Sequence, residues 1–124
     1  MSATPLDTDH QFRLDIEPER DAVRVCPHGE IDLATTGAIR EKFEEMSALG
    51  FRRVVLDLRG ATFLDSTGVR LALELSESSR TADWEFAVIE GPAVVQRIFE
   101  LTGVRSRMPF IAPTQIRHAR RSWS

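Results

Sequence analysis

Val54-Val55-Leu56-Asp57-Leu58 is a nearly continuous apolar run, bounded by Arg52-Arg53 on one side and by Arg59-Gly60 on the other. A short run of this kind is typical of a central strand that is covered on both faces, as in a parallel sheet. Strand-like and helix-like segments alternate along the rest of the chain. This alternation predicts an α/β domain with a mostly parallel sheet and helices packed against it.

Two segments upstream of this run show the alternation of a half-buried strand. Phe12, Leu14 and Ile16 alternate with charged residues, and Val23 and Val25 flank Arg24 after a polar turn. Such neighbouring strands favour an antiparallel hairpin. The predicted sheet is therefore mixed and has four to five strands.

Apolar residues at helical spacing predict three helices downstream of the hairpin. The first is expected over residues 34–49, the second after Ser66, and the third from Pro92 to Leu101, while Gly50 fits the end of the first. Two more strands are expected, over 84–89 and 108–111. The predicted organisation is a flexible segment (1–11), one domain (12–111) and a short basic tail (112–124).

Composition and charge narrow the classes of function. The chain has 124 residues, 42% of them hydrophobic, which suits one globular domain. The net charge is −3, and Arg117, Arg120 and Arg121 near the end carry +3, so residues 1–112 carry −6. An acidic body does not suit nucleic acid, and no apolar run approaches the roughly 20 residues that span a bilayer. With no visible signal peptide and one free thiol, the expected location is the cytoplasm.

Reactive side chains are scarce, so neither an enzyme nor a cofactor or metal site is expected. Cys26, His28 and Glu30 lie close together in sequence, but zinc normally needs three or four ligands of a suitable kind. Ser66 does not stand in a Gly-x-Ser-x-Gly motif. Asp57 as a phosphoacceptor lacks the paired acids and the lysine that receiver-like sites use.

The stretch from Phe63 to Val69 joins a strand to a helix start, where free backbone N–H groups and the helix dipole tolerate a phosphate. Either Asp65 or Ser66 is able to cap this helix. A capping role and a modifiable Ser66 hydroxyl therefore both stay open on these residues alone. Phe63-Leu64 is expected to be a buried anchor and Asp57 to approach the loop, while Gly68 is expected to admit the backbone of a partner.

Asp65-Ser66-Thr67-Gly68-Val69 resembles the phosphorylatable loop of the STAS domain, the fold of anti-sigma factor antagonists. Three further stretches resemble motifs of this family in the same order and spacing. His28-Gly29-Glu30-Ile31-Asp32 resembles the turn after its second strand, residues 54–58 its central strand, and Leu101-Thr102-Gly103-Val104 the end of its third helix. The resemblance runs from about Phe12 to Ile111.

The resemblance implies a single STAS-like domain that acts as an anti-sigma factor antagonist. In such proteins the unphosphorylated form binds an anti-sigma factor that is also a serine kinase, and this releases a sigma factor. The kinase uses ATP to phosphorylate the loop serine, which ends the interaction, and a serine phosphatase restores it. Carried over by position, the phosphoacceptor is Ser66, and Asp32, Asp65, Thr67 and Gly68 belong to the partner-binding surface.

Three further residues are expected to support this site from nearby: Glu30, Asp57 and Arg70. Arg70 departs from the family, which often has a small or apolar residue there, and it either alters partner choice or neutralises a phosphate on Ser66. Val69 stands where leucine is common, and the short basic tail replaces a longer, often acidic helix. The alternative function is a standalone STAS scaffold or a regulatory subunit of a stress-signalling or transport complex, not controlled by phosphorylation.

Overall fold

A mixed sheet of six strands runs through residues 12–116, the part of the chain that the computed structural model describes. The strands are β1 (Phe12–Glu19), β2 (Ala22–Ile31), β3 (Arg53–Asp57), β4 (Ala61–Leu64), β5 (Glu85–Ile89) and β6 (Phe110–Ile111). β1 and β2 form an antiparallel hairpin, and the other pairings between these strands are parallel. The predicted hairpin and the predicted mixed, mostly parallel sheet are both confirmed.

One strand of this sheet was not predicted. The strand order is β1-β2-β3-β5-β6, and β4 pairs with the second half of β2. A 3-10 turn over Leu58–Gly60 follows β3, and the Asp57 carboxylate accepts the Arg59 N–H at its start. After this turn the chain resumes pairing with β2, so that Phe63 lies opposite Glu30. What the sequence indicated as a connection is therefore a sixth strand.

Three α-helices pack on one face of the sheet, and they are α1 (Thr36–Ala48), α2 (Ser66–Ala82) and α3 (Ala93–Leu101). Their apolar sides join the side chains of β2, β3 and β5 in one large core. The buried stripe predicted for the first helix is confirmed, because Ile39, Phe43 and Met46 are all buried. None of the helices in residues 12–116 is long and apolar enough to cross a membrane.

The first helix begins two residues later than predicted. The Asp32 carbonyl accepts the N–H groups of Thr35 and Thr36, both at 3.0 Å, so residues 32–35 form a turn rather than helix. The predicted stop is confirmed, since Gly50 has the positive φ of +98° that glycine tolerates after a helix.

The opposite face of the sheet carries a second, smaller apolar cluster. Ile116, only 2% exposed, packs there on Ala22, Val55, Ala87 and Ile89. This contact extends the packed domain beyond the predicted limit at residue 111. The predicted flexible segment 1–11 and the arginines of the basic tail lie outside the described residues.

Candidate functional site

The loop between β4 and α2 lies at the carboxyl edge of the sheet, next to the turn that follows β2. Leu64 is opposite Ile31 in the β2–β4 pairing, and the Asp65 N–H donates to the Ile31 carbonyl at 3.3 Å. The chain therefore brings Asp65 and Ser66 beside Asp32 and its neighbours. In open α/β sheets this edge is where ligands are usually bound.

Asp65 caps α2. Its backbone is extended, and its Oδ1 accepts the N–H of Thr67 at 2.9 Å and the N–H of Gly68 at 3.4 Å. The Thr67 hydroxyl donates to the same oxygen. The capping role that the sequence left open between Asp65 and Ser66 thus belongs to Asp65, and Thr67 is held by the cap.

Ser66 is the first residue of α2, and it is exposed. Its hydroxyl makes no hydrogen bond with any residue in the range 12–116. The Asp65 carboxylate already accepts the N–H groups at the start of the helix, so the Ser66 hydroxyl is not needed as a cap. The loop consequently presents one unengaged hydroxyl group to the solvent from a fixed backbone.

Gly68 is buried at the start of α2, and its assignment to the partner-binding surface stays a prediction. A Cβ atom at this position would come within 2.8 Å of Leu64 Cγ and 3.1 Å of Ile31 Cγ2. The missing side chain therefore makes room inside the protein, where it lets the first turn of α2 pack directly on two strands.

Asp32 and Glu30 belong to the neighbouring turn and to the end of β2. Asp32 is half-buried, and its Oδ1 accepts the Ala34 N–H at 3.0 Å, while the Thr35 hydroxyl donates to the Glu30 carbonyl at 2.9 Å. Glu30 is exposed opposite Phe63. These bonds order the turn that lies beside the loop.

Two large apolar side chains are exposed at this edge: Leu33 was not singled out from the sequence, and Phe63 was expected to be buried with Leu64. Leu33, in the turn after β2, is 79% exposed, and Phe63 is 43% exposed. Only Leu64 is the predicted buried anchor, at 2%, because adjacent residues of a strand point to opposite faces. Recognising β4 as a strand would have separated Phe63 from Leu64.

Asp57 does not approach the loop. Like Val55, it points to the sheet face opposite the three helices. Its carboxylate accepts from Arg24 Nη1 at 2.8 Å and from Arg59 Nη2 at 2.7 Å. Burial raises the pKa of Asp57, but the hydrogen bonds from Arg59 and Arg24 together outweigh it and hold that pKa below its usual value. Asp57 is therefore the centre of a structural ion cluster.

Cys26 and His28 line a cleft together with Asp57 and Arg59 of this cluster. Burial, followed by the charge of Asp57, raises the pKa of the Cys26 thiol to about 11, so the thiol is protonated at neutral pH. His28 Nε2 lies 3.1 Å from the Asp15 carboxylate, and its ring covers Gly60. Within residues 12–116, no group of three His, Cys, Asp or Glu side chains is placed to hold a metal ion.

Arg70 follows Ser66 by one helical turn. It is exposed on α2, and it makes no ion pair or hydrogen bond with any residue that the structure describes. Of the three supporting residues that the sequence indicated, Arg70 is the one that shares a helix face with Ser66.

Residues 13–115 match the family model described as the STAS domain. Among curated proteins, the anti-sigma-B factor antagonist of Staphylococcus aureus (strain NCTC 8325 / PS 47) is 26% identical over 88 residues. That alignment covers 71% of this chain and 82% of the relative.

Solved structures show the same fold. An anti-sigma factor antagonist from Mycobacterium paratuberculosis superposes with a TM-score of 0.73 at 24% identity, covering 85% of this chain and 88% of that one. The anti-sigma factor antagonist SpoIIAA in its unphosphorylated form gives a TM-score of 0.70 at 20% identity, over 90% of this chain and 96% of that one. The Bacillus cell fate determinant SpoIIAA in the phosphorylated form gives a TM-score of 0.63 at 19% identity. That superposition covers 90% of this chain and 98% of that one.

Proposed function

This chain belongs to the STAS domain family, and we propose that within it the protein acts as an anti-sigma factor antagonist controlled by phosphorylation of Ser66. The unphosphorylated protein binds an anti-sigma factor that is also a serine kinase, and a sigma factor is released. The partner transfers the γ-phosphoryl group of ATP to Ser66 Oγ, with ADP as the leaving group and loss of the hydroxyl proton. A serine phosphatase reverses the modification.

The observation that carries this proposal is that Asp65 caps α2 while the exposed Ser66 hydroxyl does not. A capping serine would have its hydroxyl engaged with the backbone, and its modification would cost helix stability. Here the Asp65 carboxylate accepts the N–H groups of Thr67 and Gly68, and the exposed Ser66 hydroxyl is unengaged among residues 12–116. The Ser66 hydroxyl is thus accessible to a kinase and dispensable for the fold.

Two further lines support the proposal. The S. aureus relative carries the name anti-sigma-B factor antagonist, and SpoIIAA, which shares the fold, has a phosphorylated form. Exposed Leu33 and Phe63 lie at the same sheet edge as Ser66. Apolar side chains of this size, exposed beside the loop, suit contact with a protein partner.

The switch itself follows from charge. A phosphoserine brings about −1.5 to −2 charge at neutral pH, and Asp65, Asp32 and Glu30 are the acids of the loop and the adjoining turn. Burying that charge in an interface beside carboxylates is expected to weaken the complex by about 1.5–4 kcal/mol, which is roughly tenfold to a thousandfold in Kd. The protein is in this account a substrate and a binding partner rather than an enzyme, and its place of action is the cytoplasm.

The test is a phosphorylation and binding experiment with candidate anti-sigma factor kinases. Each is mixed with the protein and ATP, and phosphate is located by mass spectrometry, while binding is measured by calorimetry. We expect phosphate on Ser66, none on the Ser66→Ala variant, and binding that Ser66→Ala keeps and Ser66→Glu weakens. Ser78→Ala is the matched control, because Ser78 is an exposed serine on the same helix.

Binding that does not depend on the residue at position 66 would contradict the proposal. Tight binding to a partner that neither Ser66→Ala nor Ser66→Glu changes would exclude the switch. That outcome would favour the alternative function, a STAS scaffold or a regulatory subunit of a stress-signalling or transport complex.

A further inference from the structure

We propose that Arg70 is the residue that binds the phosphate group once Ser66 is phosphorylated. The guanidinium of Arg70 and the phosphate on Ser66 then form an ion pair along one turn of α2. This inference rests on the proposed modification of Ser66, and it concerns how the modified loop is stabilised.

The geometry of α2 brings the two side chains together. Ser66 and Arg70 are the first and fifth residues of this helix and both are exposed. Side chains four residues apart lie on one helix face, and a long helical side chain leans toward the helix N-terminus. The Arg70 side chain therefore extends over the turn that begins at Ser66. An anion that precedes a cation by four residues is also the favourable orientation for such a pair.

Arg70 is available for this role. The acid one turn further along α2 is Glu74, and it pairs with Arg40 of α1 at 2.8 Å. Arg70 itself makes no ion pair or hydrogen bond with residues 12–116. A cation near the start of a helix opposes the helix dipole. The charge of Arg70 is therefore electrostatically unfavourable in the unmodified helix. A phosphate on Ser66 would offset this by pairing with it.

The backbone at the start of α2 offers the phosphate little. The N–H groups of Thr67 and Gly68, which would otherwise be free, already donate to Asp65 Oδ1. The Asp65 carboxylate also places a negative charge next to Ser66. A phosphate here therefore depends on a side-chain cation rather than on backbone amides.

The other charged groups around the loop do not offer a better partner. The neighbouring turn and the end of β2 contribute Asp32 and Glu30, which are both acidic. α3, which packs against β4, contributes Arg97 and Glu100, both exposed. Arg97 is the competing cation, but it lies on a different helix, whereas Arg70 shares a helix face with Ser66.

The test uses protein with phosphoserine placed at position 66 during translation, so that no kinase is needed. The second pKa of the phosphate, ordinarily about 6, is measured by 31P NMR titration. We expect it to be higher by about 0.15–0.4 unit in Arg70→Gln than in the unsubstituted phosphoprotein, because the pair favours the dianion. Arg70→Lys should show a smaller rise, and the difference should shrink as salt is added.

Arg97→Gln is the matched control and should leave the phosphate titration unchanged. Equal titration of Arg70→Gln and the unsubstituted phosphoprotein would overturn the proposal, as would a shift caused by Arg97→Gln instead. Circular dichroism of the unmodified Arg70→Gln protein checks that the fold is intact. Because phosphate is installed without a partner, failure of the kinase experiment would refute the proposed function without deciding this one.

Discussion

Gly68 lies so close to Leu64 that a Cβ atom at position 68 would come within 2.8 Å of Leu64 Cγ. Ile31 borders the same position from β2. The start of α2 thus rests directly on the two strands that precede the loop and the neighbouring turn. The position of Ser66, two residues earlier, is fixed by this contact between a helix and the sheet.

A side chain at position 68 is expected to destabilise the protein. Gly68→Ala must displace buried Leu64 or Ile31, and overpacking of this kind costs about 1–3 kcal/mol. Gly37→Ala is the matched control, since Gly37 lies in α1 with no atom within 4 Å of its added Cβ. It should stabilise the protein by about 0.5–1 kcal/mol through helix propensity. Urea unfolding measures the free energy of unfolding of both variants. Equal changes in Gly68→Ala and Gly37→Ala would contradict the close packing at Gly68.

The cap at Asp65 predicts a contrast with Ser66. Asp65→Ala should lower the free energy of unfolding by about 1 kcal/mol, while Asp65→Asn should change it little, because asparagine caps equally well. Ser66→Ala should stay within about 0.5 kcal/mol of the unsubstituted protein, as an exposed substitution does. Thermal unfolding measures these changes in stability. A larger loss of stability in Ser66→Ala than in Asp65→Ala would show that the serine is the cap.

The ion cluster around Asp57 predicts an acid-dependent loss of stability. Hydrogen bonds from Arg59 and Arg24 hold the folded-state pKa of Asp57 below its usual value despite its burial. The stabilisation is therefore complete above the unfolded pKa of about 3.9 and is lost as pH falls through the lower folded pKa. Asp57→Asn should cost about 1–3 kcal/mol at pH 7, and its unfolding free energy should fall less between pH 5 and pH 2.

Asp15→Asn supplies the comparison for that experiment. Asp15 pairs with Arg13 and His28 on the surface, where its side chain is 36% exposed. An exposed pair of this kind contributes little to stability, because water screens it. If Asp15→Asn and Asp57→Asn gave the same pH profile, the buried cluster would not be the source of the acid sensitivity.

The exposed apolar residues at the loop edge predict where the partner binds. Leu33→Ala and Phe63→Ala should each weaken binding of the anti-sigma factor by about tenfold or more, because a buried side chain of this size contributes about 1.5–3 kcal/mol. Leu49→Ala is the control, since Leu49 is 67% exposed at the end of α1, away from the loop. Calorimetric titration measures all three, and loss of affinity in Leu49→Ala alone would move the interface elsewhere.

Local periodicity was enough to predict most of the fold. The apolar run at 54–58 and the alternation in β1 and β2 are patterns of neighbouring residues, and the structure forms strands at each. β4 was missed because its four residues acquire strand geometry only by pairing with the end of β2, some thirty residues earlier in the chain. The exposed position of Phe63 went unrecognised for the same reason.

The site was predictable only in part. The loop was found from its motif, but adjacent Asp65 and Ser66 are both good capping residues, and only the backbone geometry decides between them. The partners of Asp57 could not be predicted, because Arg24 is 33 positions away in the sequence and reaches it through the pairing of β2 with β3. Gly68 carried a clear signal of close approach, but the sequence did not tell whether a partner or the protein itself approaches.

The assignment of the cap to Asp65 has an evolutionary consequence. A codon change at Ser66 is expected to leave the fold unharmed, so under the proposed function natural selection at that position acts on regulation alone. A lineage would then lose the proposed control by one substitution, or regain it by the reverse substitution, without any compensating change elsewhere in the domain. Asp65 and Gly68 have no such freedom, since changes there alter the helix start on which the loop depends.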